Sequence, residues 1–266
     1  MLTLVKYEIV QMNRRKDKYI LFLILIIMAA YYMKMKVTSY MTVFYPESFK
    51  GVGVLDIILY IFSGASKSFL IFSKNVELPI SYLIYLVYMS VMTYCIFDGK
   101  NDNNIVLKIG SKKKWLFSKL IISFINLLLY YFMVLVVTMF ITKFNFDYNE
   151  IADTSILKLD YYNTRYIDIY LLLLCSFLTS LAIMMIQIFL VITVNEFVAL
   201  IATLSIYVFS MFNCTYLFIA NATMLTRSNL FLKSGLEFNS FILIDFVIII
   251  VFLVLTIMML NKKDFV

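Results

Sequence analysis

The feature that most constrains this chain is a succession of long apolar runs: Tyr19–Lys36, Val76–Phe97, Leu120–Thr142, Phe241–Leu260 and the longer stretch Ile167–Ile219. A bilayer core takes about 20 mostly apolar residues per helix, and each of the four shorter runs has about that length. The chain is 63% hydrophobic and 15% charged, against roughly 45–50% and about 25% for soluble domains. A water-soluble fold has no polar outer face to build from such material, whereas lipid removes that demand. The expected fold is therefore an all-α membrane protein, with residues 1–266 forming a single transmembrane domain.

Ile167–Ile219 is too long for one crossing, and the polar pair Asn195–Glu196 sits near its middle. A tight turn there gives two antiparallel helices, Ile167–Val194 and Phe197–Phe218. Six transmembrane helices result, at 19–36, 76–97, 120–142, 167–194, 197–218 and 241–260. With both termini in the cytoplasm, the inner segments carry Lys6, Arg14, Arg15, Lys16 and Lys18, then Lys100, Lys108, Lys112–Lys114 and Lys119, then Lys262 and Lys263. The longer outer segments carry fewer basic residues, and Asp147, Glu150, Asp153 and Asp160 accompany those of the largest acidic loop. This agrees with the positive-inside rule.

Val52–Phe72 is apolar but contains Asp56, Gly64, Lys67 and several serines. Counted as a span it would reverse everything after it, so it reads as an interfacial or re-entrant outer segment. Leu2, Val5, Ile9 and Met12 share a helical face ahead of the cluster Arg14–Lys18, the pattern of an amphipathic helix on the inner leaflet. The run after it lacks a small-residue cleavage site and reads as an uncleaved anchor.

Several chemistries are excluded. The chain has no histidine, which removes Ser-His-Asp and Cys-His catalysis and His-ligated zinc. Cys95, Cys175 and Cys214 all lie in apolar runs, an odd number without regular spacing, and read as small apolar fillers. No glycine opens a G-x-x-x-x-G-K-[ST] loop, so the chain holds no P-loop of its own. The net charge of +7 gathers at span ends, where orientation and anionic headgroups account for it, and no separate basic domain offers itself to nucleic acid. Asp168 and Asp245 read as lying near outer span ends, and the midplane holds only uncharged polar residues such as Asn126 and Gln187. That disfavours an ion-coupled carrier.

The segment Lys108–Leu120 follows an apolar turn (Ile105–Leu107) and runs through a break at Gly110, the basic triplet Lys112–Lys114 and Trp115 into a span. Near the C-terminus Ala222–Ser228 holds a Met-x-x-Arg-Ser element. Lys233–Leu236 follows, and the last span ends in Asn261-Lys-Lys-Asp-Phe265. In these two places, and in the order of its spans, the chain resembles the permease subunits of type-2 ABC exporters. Its outer segment Val37–Asn75 is longer than that family's usual loop.

The resemblance implies a transport subunit rather than an enzyme. It would dimerise with itself or a related permease in a bacterial cell membrane, with lipid around it. Separate nucleotide-binding ATPase subunits would bind the ATP, so no cofactor is expected on the chain itself. Coupling to the ATPase falls to Ile105, Val106, Leu107 and Lys108, with Asn195 and Glu196 at the second inner turn. A translocation path would run past Asn126, Gln187 and Asn213. The implied cargo is a small amphipathic peptide, such as a bacteriocin or antimicrobial peptide, or a lipid-like molecule. The alternative is a non-transporting membrane sensor or immunity protein that binds an outer ligand and signals through an ABC partner, with the acidic loop Asp147–Asp160 and Val52–Phe72 as its surface. A stand-alone channel lacks a charged ring or repeated pore motif.

The topology is testable by thiol labelling. A cysteine introduced near Lys113 should resist impermeant reagents in intact cells, and one near Asn149 should react. The opposite pattern would sink the six-span arrangement.

Overall fold

The computed structural model describes residues 2–65, 80–97, 106, 111–157, 159, 166–232 and 235–262. They are helical, with no β-strand among the described residues beyond one isolated bridge between Ser228 and Leu236. In chain order the helices are α1 (Leu2–Arg14), α2 (Lys16–Phe44), α3 (Val54–Ile61), α4 (Ile80–Ile96), α5 (Lys112–Thr142), α6 (Glu150–Ile156), α7 (Tyr166–Thr193), α8 (Glu196–Phe212) and α9 (Phe238–Lys262). Two short 3₁₀ turns, Ile219–Thr223 and Leu225–Arg227, precede α9.

Helices α2, α5, α7 and α9 are long and apolar enough to cross a membrane, and α4 and α8 are shorter apolar helices of 17 residues each. The long helices keep small polar residues among the apolar ones on their buried sides and turn large apolar side chains outward. On α5 the buried side includes Ser118, Ser123, Asn126, Thr138 and Thr142, while Phe117, Phe124, Leu128, Phe132 and Phe140 face outward. On α9 Asp245 and Thr256 are buried, and Leu243, Val247, Ile250 and Val254 are exposed. Apolar side chains turned outward over the length of several helices are at home in lipid.

Element boundaries differ from the sequence expectation where a lysine is satisfied inside the fold. Helix α2 runs on past Lys34 and Lys36 to Phe44 because the Lys34 ammonium donates to the carbonyl of Ile141, in the last turn of α5, at 2.8 Å. A cation at a helix C-terminus also meets the negative end of its dipole. Helix α5 starts at Lys112, eight residues before the expected span. Ser111 caps it, its hydroxyl accepting from Lys114 N, and Trp115 is buried edge-on against Phe97 rather than lying at the surface. The expected break in Ile167–Ile219 is found at Asn195, whose Oδ1 caps α8 by accepting from Val198 N at 2.8 Å.

Two buried apolar clusters order the bundle. The smaller joins Ile96, Phe97, Val106, Trp115, Ile188, Val191, Ala199 and Leu260, with Val5 and Met12 packed on it. It marks a basic end, where α1, the start of α5, the α7–α8 turn and the last turn of α9 meet. Helix α1 docks there by the expected Val5 and Met12, with Glu8 taking the place expected of Ile9. Val5, Glu8 and Met12 turn inward while Ile9 is exposed, and the Glu8 carboxylate pairs with the Lys119 ammonium at 2.9 Å. Lys119 also donates to Ile96 O, the end of α4, at 2.7 Å.

The larger cluster fills the rest of the bundle up to the opposite end, which is closed by three interlocked segments. Of the expected segment Val52–Phe72, residues 66–72 lie outside the described residues. Its first part is the short helix α3, buried among α2, α4 and α5. Asp56 holds this part to the acidic loop, accepting from Gly53 N at 2.7 Å, Asn149 N at 3.0 Å and Asn149 Nδ2 at 2.8 Å. Gly53 is required by close approach, since a Cβ there would stand 1.6 Å from Asp147 O. Past α3 the chain breaks at Gly64 (φ +70°), which lies against Met224. Its carbonyls are taken up by the third segment: Leu225 N donates to Phe62 O at 2.9 Å, and the Thr226 hydroxyl to Ser63 O.

Arg227, 0% exposed, completes this closure. Its Nε donates to Ala65 O at 2.8 Å, its Nη2 to Met211 O at 2.6 Å, and its Nη1 to Ser210 O and Asn221 Oδ1. The guanidinium thus caps the C-terminus of α8 and clasps the broken segment 62–65 against it. Replacing it with methionine keeps the volume but orphans at least three buried carbonyls, each worth about 1–3 kcal/mol. Arg227→Met should therefore lose about 3 kcal/mol or more, read as a lowered thermal midpoint of the purified protein. An unchanged midpoint would show the clasp to be idle.

Candidate functional site: a polar seam between the helices

Between the two ends, α4, α5, α7 and α8 enclose a seam of tyrosines and small polar residues. Tyr82, Tyr85 and Tyr88 recur every three residues along α4 and so share one face. They meet Tyr130 and Tyr131 of α5 and Tyr207 of α8, with ring centroids 4.7 Å apart for Tyr88 and Tyr130 and 5.9 Å for Tyr85 and Tyr207. Phe62, just past α3, stacks on Tyr131 at 5.2 Å. Hydroxyls answer hydroxyls across the seam: Tyr82 with Thr223 at 2.7 Å, Tyr131 with Ser176 at 2.9 Å, and Tyr85 with Ser180. Such pairs satisfy the phenols that lipid and apolar side chains cannot.

A cavity opens toward the basic end of this seam, lined by Tyr88, Thr93, Ser123, Asn126, Gln187 and Tyr207, with Met89, Met92 and Met184 among its apolar walls. Asn126 and Gln187, expected on separate helices at the midplane, are brought together here. The Asn126 Oδ1 accepts from Tyr19 of α2 at 2.5 Å and its backbone carbonyl from Tyr88 at 3.0 Å. Its Nδ2 has no hydrogen-bond partner among the described residues, nor does the Ser123 hydroxyl one turn earlier. Gln187 Nε2 donates to Ser90 O at 2.9 Å, tying α7 to α4. Among the described residues no charged side chain lines the cavity, so its chemistry suits small uncharged groups that both accept and donate hydrogen bonds.

The third expected path residue, Asn213, is not in the cavity. It ends α8 at the opposite end, is exposed, and gives its carbonyl to Asn221 Nδ2 at 2.8 Å. Of the expected coupling residues, Ile105, Leu107 and Lys108 lie outside the described residues. Val106 is buried in the basic-end cluster with Phe97 and Trp115, so this chain supplies its cover. Asn195 and Glu196 form the α7–α8 turn at that end. They stand beside Val194, Phe197 and Val198, which are exposed, Phe197 at 64%.

Three buried polar residues escaped the sequence reading as elements of a site: Glu8, Asp245 and Arg227. Glu8 was masked by apolar neighbours on α1, and a period that kept it in register with Val5 and Met12 would have found it. Burial pushes the Arg227 guanidinium down from its ordinary value, although its carbonyl ligands answer most of its donors. Among the described residues no three His, Cys, Asp or Glu side chains converge as a metal site would require.

The Tyr19–Asn126 contact joins α2 to the seam and can be measured by a double-mutant cycle. Tyr19→Phe and Asn126→Leu should each destabilise the protein, with a coupling energy of about 1 kcal/mol between them. Strict additivity in urea or thermal unfolding would show that the two side chains do not interact. Compared with known proteins, this chain matches no family model, no curated protein and no solved structure.

Proposed function

We propose that the chain is the membrane subunit of an ABC exporter, crossing a bacterial cell membrane six times with its basic end in the cytoplasm. Four crossings correspond to α2, α5, α7 and α9. The other two correspond to α4 and α8, whose 17 residues are at the lower limit for a span. Lys6, Arg14–Lys16, Lys18, Lys112–Lys114 and Lys262 all belong to elements meeting at the basic end, which favours that end as cytoplasmic.

The observation that carries the transport reading is the α7–α8 turn. It is a capped hairpin tip on which Val194 and Phe197 are exposed beside Asn195, at the end of the bundle where the cations gather. An apolar tip held out at the polar end of a membrane protein is suited to a groove on a soluble partner. With Val106 covered internally, this tip is the stronger candidate for the ATPase contact. The partner would supply ATP hydrolysis, two permease copies would flank the path, and the neutral, aromatic seam suits an amphipathic peptide or lipid-like cargo.

One observation favours the sensor or immunity reading. The Asp56–Asn149 bonds make segment 51–65 and the acidic loop a single fixed unit at the opposite end, as a ligand surface requires. Efflux from vesicles carrying both subunits separates the two readings, because a sensor moves nothing.

The purified chain alone should hydrolyse no ATP, and activity should appear only with a co-purifying nucleotide-binding subunit. Phe197→Asp changes an exposed residue and should leave insertion intact. It should weaken that association by about 2–3 kcal/mol through lost burial, seen as loss of the ATPase on affinity purification in mild detergent. Unchanged recovery of an ATPase with the variant would exclude the hairpin tip as the docking point.

A further inference from the structure

Asp245 was expected near a span end, but it lies two turns inside α9 at 0% exposure, facing α7. An ionisable residue inside a membrane helix is expensive and marks a functional position by default. The polar atoms around it are few, and they constrain its protonation. Thr179 Oγ1 stands 2.6 Å from Asp245 Oδ2 and 2.9 Å from the carbonyl of Cys175. A hydroxyl carries one proton, and a carbonyl only accepts. If Thr179 gives its proton to Cys175 O, as a threonine one turn on commonly does, the short contact to Asp245 is a hydrogen bond only when the acid supplies the proton.

The second carboxyl oxygen leads to the same place. Asp245 Oδ1 has no hydrogen-bond partner among the described residues. In the ionised form it would hold negative charge in an apolar interior without a donor or a cation, whereas in the acid form it is a neutral carbonyl oxygen, far cheaper to leave unpaired. Among the described residues no neighbouring element relieves the charge. Of the described side chains of α7, Tyr170 is exposed and the Cys175 thiol beside the acid is directed to Phe238 O. The 3₁₀ turn Ile219–Thr223 has no titratable side chain. On α5 the buried cation, Lys119, is paired with Glu8, and Arg227 is engaged at the end of α8. A 2.6 Å oxygen–oxygen contact also leaves no room for a metal ion between Asp245 and Thr179.

We propose that Asp245 is a proton-binding site between α7 and α9, with Thr179 as the acceptor that holds its acid proton. Helix α9 packs on α7 more extensively than on any other element, so this site lies in the joint that fixes the last helix to the bundle. Release of the proton places an unanswered charge in that joint, and α9 must then shift or admit water. The site is independent of the proposed ATPase partner, and it gives the protein a response to protons whichever function the seam serves.

Infrared spectra of the full chain in lipid nanodiscs at neutral pH test this directly. The wild type should show the carbonyl stretch of a protonated carboxylic acid. Asp245→Asn should lose that band while keeping the helical content and thermal midpoint, since the amide is a neutral near-isostere. Thr179→Val should keep the band but move it to higher frequency, because the acid has lost its hydrogen-bond acceptor. Should Asp245→Asn fail to fold, the Thr179→Val shift carries the test alone. A wild-type spectrum without the band, a band that survives in Asp245→Asn, or one unmoved in Thr179→Val overturns the proposal.

Discussion

Helices long and apolar enough to lie in lipid leave the polar groups between them to find partners within the chain, and most of this structure follows from that demand. Apolar side chains need no interior here, so they cover the outside of α2, α5, α8 and α9. Many of the serine, threonine, tyrosine, asparagine and glutamine side chains turn inward, and most of these bond to one another or to the carbonyl one turn back. Tyr82, Tyr85 and Tyr88 of α4 suit this arrangement because each ring packs like an apolar side chain while its hydroxyl reaches a partner on a neighbouring element. The seam is thus both the glue of the bundle and an extended polar surface within it.

The same demand explains how the buried charges are placed. Lys119 meets a carboxylate, a helix-end carbonyl and the ring of Phe97, 5.7 Å from its centroid. Arg227 meets helix-end carbonyls and one amide oxygen. Asp56 is surrounded by backbone and amide N–H groups. Each of these sits at an end of the bundle, where a helix terminus or a break in the chain offers unpaired backbone groups. Asp245 lies two turns inside its helix, as Lys119 does, but no helix-end group of a neighbouring element is bonded to it among the described residues, and a single hydroxyl meets it.

Much of the architecture was legible from the residues. The apolar runs located the long helices, and Asn195 announced its turn because an asparagine followed by an apolar run is a cap with a known mechanism. Lys34 and Lys36 were misread as the end of a span because a lysine in sequence looks like solvent, and only the fold reveals that a carbonyl of α5 lies within reach of Lys34. The pairing of Asn126 with Gln187 around one cavity was half legible, since both are polar residues in apolar runs. Asn213, chosen on the same ground, ended elsewhere because α8 stops one residue before it. Arg227 was visible only as part of a short motif. Its work depends on carbonyls from residues 65 and 210–213, a relation that no local pattern encodes.

That relation bears on how the protein is made. The carbonyl of Ala65 and the guanidinium that answers it are 162 residues apart. At a synthesis rate of roughly 5–20 residues per second, the first waits about 8–30 s for the second. Throughout that interval the break at Gly64 is already inserted or poised at the membrane with its backbone unanswered, and α8 has yet to be capped. The nascent chain is therefore an incomplete assembly until its last quarter emerges. A ribosome that stalls before codon 227 leaves a product whose open backbone sets it apart from the finished protein, and membrane quality control has a physical basis for telling the two apart.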